Sequence, residues 1–150
     1  MAFLAACASQ RPEPGPPPPS PYPSSTPAHA ESPAIASLMD GARTDYAAGR
    51  LANAAASLER ALRIEPRNPR LWQELSRVRL LQRDYVQAES CAARSNSWAG
   101  SDDALRADNW RLIAQAREAR GDADGARAAL ETVEARRAYA RSRLDLLDGV

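Results

Sequence analysis

The sequence predicts an all-α fold: a short solenoid of about six antiparallel helices behind a disordered, proline-rich N-terminal linker. Three observations predict it. Ten of the 12 prolines precede residue 34. From Ile35 to about Leu147, Leu, Ala, Arg and Glu recur at helical spacing. Within that stretch the pattern repeats after 34 residues, the length of one helical hairpin in a stacked array.

The linker comes first. Residues 8–33 mix proline with Ser, Ala and Gly. Proline at this density favours polyproline II, which rises about 3.1 Å per residue, so the segment reaches up to roughly 80 Å as a semi-rigid spacer. Its PPPPSPYP also contains a PxxP pattern, alternatively a ligand for an aromatic-lined groove. Helix starts follow. Ser32 before Pro33 and Asn68 before Pro69 each read as an N-cap and a first helical residue: the side-chain oxygen accepts an orphan backbone N–H, and proline presets the first φ. Ser101 with Asp102 and Asp103 is a third start, its acids complementing the helix dipole. Breaks fall at Gly49, Arg83-Asp84 and Gly121-Asp122. The expected helices are therefore about 34–48, 51–65, 69–82, 85–96, 102–120 and 123–147. The last is long and has no stop proline, so it is also expected to cap the stack, whose end would otherwise expose an apolar face.

In GRLANAAASLERALRIEPRNPRLWQEL, the order Gly49, Ala54, Leu58, Ala61, Pro66, Trp72 and Leu75 resembles a tetratricopeptide repeat. In that family small residues let two helices approach closely, large ones fill the gap and proline closes the second helix. The first unit runs from Ile35 to Asn68, with Leu38 in the family's tryptophan place and Ala42 in its small position. The second, about 69–103, brings Trp72, Leu75, Ser76, Asp84, Tyr85 and Ala88 into register. The third, about 107–137, restarts with Trp110, Ile113 and Ala114 and continues through Gly121, Asp122, Ala126 and Leu130, before a C-terminal helix extension. Leu38 to Trp72 is 34 residues but Trp72 to Trp110 is 38, so SNSWAGSDDALRADN holds about four extra. Either a helical turn or a longer loop is inserted there.

Chemistry is sparse. The net charge is +1, from 20 basic and 19 acidic residues, which argues for neither nucleic acid nor an acidic membrane surface. All 20 basic residues are arginine. His29 is the one histidine and falls in the linker, which removes Ser/His and Cys/His catalysis and most zinc sites. Asp102, Asp103 and Asp108 are better explained by a helix start than by an acid/base pair. No enzyme activity, cofactor, metal or small-molecule substrate is therefore expected. Cys91 reads as a small packing residue, and Trp72 and Trp110 as core. Trp98 lies where the repeat pattern fails, and either plugs the widened gap or stands exposed as a contact residue.

The resemblance implies a site on the concave surface, lined by the first helix of each unit. It brings Met39, Arg43, Tyr46 and Ala47 from the first unit, and Arg70, Gln73, Arg77, Leu80 and Leu81 from the second. The third contributes Asp108, Arg111, Gln115, Glu118 and Ala119, with Arg111 displaced by one turn through the insertion. An arginine stripe beside Tyr46 and Leu80 suits an extended protein segment carrying carboxylates; the plainer reading is a solvated face of ion pairs.

At the start, Leu4-Ala5-Ala6-Cys7 resembles the lipobox of bacterial lipoproteins. Residues 1–7 are then the remnant of a lipoprotein signal, and Cys7 is the lipidated residue. Ala8 follows the cysteine in place of aspartate, which in that family implies sorting to the outer membrane. Anchor, spacer and a repeat domain over 34–150 together resemble the outer-membrane lipoprotein activators of bifunctional penicillin-binding proteins. That resemblance implies a periplasmic protein on the inner leaflet of the outer membrane, holding a peptidoglycan synthase as its protein partner. The alternatives are a pilotin-like lipoprotein assisting secretin or pilus assembly, and a general protein-interaction scaffold.

Overall fold

The computed structural model describes residues 32–148. The expected lipobox, Cys7, His29 and nearly all of the linker lie outside them. The described residues form six helices: α1 (Pro33–Ala47), α2 (Leu51–Ile64), α3 (Pro69–Leu81), α4 (Tyr85–Trp98), α5 (Asp103–Ala119) and α6 (Ala123–Asp148). No strand occurs among them. Each odd-numbered helix packs on the next to make a hairpin, and α2–α3 and α4–α5 contacts join the three hairpins in order.

The starts follow the local chemistry. Ser32 Oγ accepts from Ile35 N at 3.3 Å. Asn68 Oδ1 accepts from Arg70 N at 3.0 Å, with Pro69 as the first helical residue. Asp84, Asp102 and Asp122 accept from the N–H three residues on, at 3.3, 2.9 and 2.8 Å. Each satisfies one of the orphan donors of a first turn. At the fifth helix the cap is thus Asp102 rather than Ser101.

The three turns inside the hairpins share one geometry. Gly49, Arg83 and Gly121 all have positive φ, at 72°, 63° and 82°. Each donates its N–H to the carbonyl three residues back, at 3.0, 3.0 and 2.9 Å. The residue after each, Arg50, Asp84 or Asp122, donates to the carbonyl five back, at 2.8, 2.9 and 2.9 Å. This pair of bonds is the Schellman closure, which satisfies the last carbonyls of a helix and requires a left-handed residue.

The same frame locates the insertion. Trp72 is the fourth residue of α3, whereas Trp110 is the eighth of α5, and both helices end nine residues later. The extra four residues are therefore one helical turn at the start of α5, not a longer loop. The fourth helix continues to Trp98, past the expected end at about 96, so Trp98 stands on a helix and not in an irregular segment.

Two apolar clusters fill the stack. The first holds Ile35, Met39, Ala42, Ala54, Leu58, Leu71, Leu75, Val78 and Cys91, with Leu38 and Trp72 packed against it. The second holds Ala92, Leu112, Ile113, Ala114, Ala126 and Ala129, with Leu80 and Trp110 at its margin. α4 serves both through adjacent residues. Alanines let these backbones approach, and each large aliphatic buried between them contributes about 1.5–3 kcal/mol. Up to Tyr139, α6 buries Ala126, Ala129 and Val133.

Candidate partner-binding groove

The first helices of units one and two border a groove of about 270 Å³ lined by Met39, Ala42, Arg43, Tyr46, Leu58, Glu74, Arg77 and Val78. Positions 39, 43 and 46 share one stripe of α1 because they are three or four residues apart, and 74, 77 and 78 do the same on α3. Met39, 4 % exposed, and Leu58 form an apolar floor, while Tyr46 is 40 % exposed at the rim. Arg43 is well exposed and lies 3.5 Å from Asp40, one turn back. Arg77 is half-buried, and its Nε is buried without a hydrogen-bond partner among the described residues. The buried Nε is closed to a ligand, and the terminal nitrogens, which take part in no ion pair among the described residues, are the donors left for an incoming carboxylate.

The structure brings Met39, Arg43, Tyr46 and Arg77 together and sets the other expected residues elsewhere. Ala47 and Leu81 are exposed at helix ends. Arg70 is exposed and approaches Asp102 at 3.7 Å. Gln73 is a correction: it is buried and does not line the groove. Its Nε2 donates to Asn109 Oδ1 at 3.1 Å, and Asn109 Nδ2 donates in turn to Ser95 Oγ at 2.7 Å and Asn96 Oδ1 at 3.0 Å. Ser95 Oγ then donates to Pro69 O at 2.7 Å. This buried chain pins the second unit to the third. Leu80 is half-buried against the second cluster.

Arg111 does not continue the arginine stripe. The added turn in α5 puts Gln115, exposed, at the place equivalent to Arg43 and Arg77. Arg111 instead pairs with Asp108 and lines a separate cavity of about 310 Å³ with Asp103, Arg136 and Arg137. Glu118 and Ala119 are exposed near the end of α5. Trp98 is 45 % exposed, with the Arg67 guanidinium 5.1 Å from its ring centroid. Glu74 in the groove and the Gln73–Asn109–Ser95 chain were missed from sequence. The i, i+3 spacing of Glu74 and Arg77 was the available signal for the first; an asparagine inside an apolar helix pattern was the signal for the second.

Among the described residues no three His, Cys, Asp or Glu side chains gather into a metal-sized cluster. Burial pushes the Cys91 thiol up to about 11, so it stays protonated and unreactive at neutral pH. No described helix is long and apolar enough to cross a membrane.

Three stacked helical hairpins with Schellman turns and small-residue contacts define a non-catalytic protein-interaction module. The chain belongs to the tetratricopeptide repeat family, whose model matches residues 45–107. A solved structure it resembles is the globular C-terminal domain of P. aeruginosa LpoP. The two are 44 % identical with a TM-score of 0.67, over 69 % of this chain and 97 % of that one. No curated protein sequence matches the chain.

Proposed function

We propose that the protein is an outer-membrane-anchored periplasmic lipoprotein that binds and activates a bifunctional peptidoglycan synthase, a penicillin-binding protein, through its tetratricopeptide domain. The observation that supports this is the 44 % identity spread over 97 % of the LpoP domain. In this reading residues 1–7 are a lipoprotein signal remnant, Cys7 carries the lipid, and residues 8–33 supply the reach from the outer membrane towards the synthase. The domain over 34–150 does the binding.

The groove supplies the contact. A partner segment laid across α1 and α3 buries an apolar residue over Met39 and Leu58 beside the Tyr46 ring. Its carboxylates meet Arg43 and Arg77, and Glu74 repels any carboxylate placed one position off, which sets the register. Activation is a population shift: binding stabilises the productive conformation of the synthase by the difference in affinity between its states.

The test pairs binding with output. The chain is captured on solubilised penicillin-binding proteins, and lipid II polymerisation and cross-linking are followed with and without it. Arg43→Glu combined with Arg77→Glu is expected to abolish binding and stimulation while helical circular dichroism is unchanged. Absence of binding by the unaltered chain, with no change in polymerisation rate, refutes the activator reading. Unchanged affinity in the double variant removes the groove from it.

A further inference from the structure

The opposite face of α3 carries a second recess with a different composition. Trp72, Leu75 and Arg79 project there, whereas Glu74, Arg77 and Val78 of the same helix line the first groove. The recess, about 340 Å³, lies where α2, α3 and α4 meet. Leu62, Leu75 and Cys91, all buried, form its floor. Its charged rim consists of Arg63, Arg79 and Arg94 against Glu59 alone. Glu59 is taken by Arg79, so Arg63 and Arg94 are left over. Neither they nor Arg67 takes part in any ion pair among the described residues.

Two of these arginines, Arg94 and Arg67, are also held in place. The Arg94 guanidinium lies 5.0 Å from the Trp72 ring centroid, and Arg67 lies 5.1 Å from that of Trp98. Arg94 and Trp98 are one turn apart on α4, so the two stacks stand side by side. The Trp72 ring is fixed in turn by its Nε1, which donates to Pro66 O at 2.8 Å. A guanidinium resting on an aromatic face keeps its N–H edge free and has already lost much of its rotamer freedom, so it grips a carboxylate at a lower ordering cost.

We propose that this recess is a second protein-docking site, which takes an acidic peptide segment with one apolar anchor side chain. The anchor fills the space over Leu62 and Leu75, and flanking carboxylates meet Arg63 and Arg94, with Arg67 extending the contact along the chain. The apolar floor favours a peptide over a polyanion. A nucleic acid or a sulfated glycan would satisfy the arginines and leave the floor without a partner, whereas an acidic peptide with a leucine matches both. The site is independent of the Arg43–Arg77 groove, since it uses the other side of α3.

The experiment is fluorescence anisotropy of the full chain with a labelled peptide in which one leucine is flanked by glutamates. Three probes accompany it: the same peptide with serine for leucine, polyglutamate, and heparin. Saturable binding of the leucine peptide is expected, weakened at least about tenfold by the leucine-to-serine change and by Arg63→Gln with Arg94→Gln. Arg43→Glu with Arg77→Glu is expected to leave it unchanged. All these residues except Arg77 are exposed, and circular dichroism checks each fold. No binding, or affinity indifferent to Arg63 and Arg94, overturns the proposal. Equal binding of the serine peptide, polyglutamate or heparin reduces the site to unspecific charge attraction and overturns it too. Loss of binding in the Arg43/Arg77 variant alone moves the peptide to the first groove, which separates failure here from failure of the activator reading.

Discussion

Arg83 occupies a place where its two counterparts in the stack are glycine. Gly49, Arg83 and Gly121 close equivalent turns with the same left-handed backbone and the same pair of hydrogen bonds. A side chain in that conformation costs about 1 kcal/mol, because Cβ crowds the carbonyl oxygen, and glycine is spared it. Arg83 is exposed and forms no ion pair among the described residues, so little is lost by removing it. Arg83→Gly is therefore expected to raise the melting temperature by about 4 °C, read by thermal circular dichroism. The reverse change, Gly49→Arg, is expected to lower it by a similar amount. An unchanged or lower midpoint for Arg83→Gly means that the turn carries no strain at residue 83.

At the scale of elements, the polar chain from Gln73 through Asn109 to Ser95 decides how α5 sits on α3 and α4. Asn109 and Ser95 are fully buried, and truncating the asparagine strands the Gln73 amide away from water. Asn109→Ala is expected to cost about 2–4 kcal/mol in urea unfolding, from the unsatisfied amide and the space left behind. Adding Gln73→Ala is expected to cost less than a second independent loss, by about 1 kcal/mol, because its partner has already gone. Strict additivity would show that the bond holds nothing. The helices themselves were legible in the sequence because caps, prolines and the 34-residue period act locally: Ser32, Asn68 and the Asp84 and Asp122 breaks place their ends within a residue or two. The polar chain was not, since nothing local tells a buried asparagine from a solvated one. The same reason explains Gln73, which the family resemblance placed on the concave face and packing turned inward. Arg111 differs: its displacement by one turn was readable from the longer spacing between Trp72 and Trp110, whereas its pairing with Asp108 was not. Of the candidate groove, the α1 residues and Arg77 were readable. Glu74 was not, because its role depends on which side of α3 the neighbouring hairpin leaves open.

For the molecule as a whole, stability is divided unequally along the stack. α2 meets α3 over a narrower interface than α4 meets α5, and α3 also touches α5 directly through Gln73 and Asn109. The second and third units are thus bound by apolar packing and a buried polar chain, the first by packing and one partly exposed ion pair, Arg79 with Glu59. In a linear array each unit is stabilised by itself and by its neighbours, so the more weakly coupled end opens first. α1 and α2 are expected to exchange their amide hydrogens at lower free energy than α4 and α5 under native conditions. Ile35→Ala should sharpen the difference. Ile35 is fully buried at the start of α1, and its truncation costs about 2–4 kcal/mol, charged mainly to the first hairpin. Protection in α1 and α2 is expected to fall by that amount while α4 and α5 keep theirs, measured by hydrogen exchange at increasing denaturant. A uniform fall across all six helices would mean that the stack unfolds as one unit despite the narrower α2–α3 interface. The distinction reaches function, because the groove that carries Arg43 and Arg77 lies between the first unit and the second. A hairpin that opens locally releases a partner seated there and also withdraws Leu62 and Arg63 of α2 from the second recess, leaving only the part built by α3 and α4, so partners at both sites are expected to oppose the same opening.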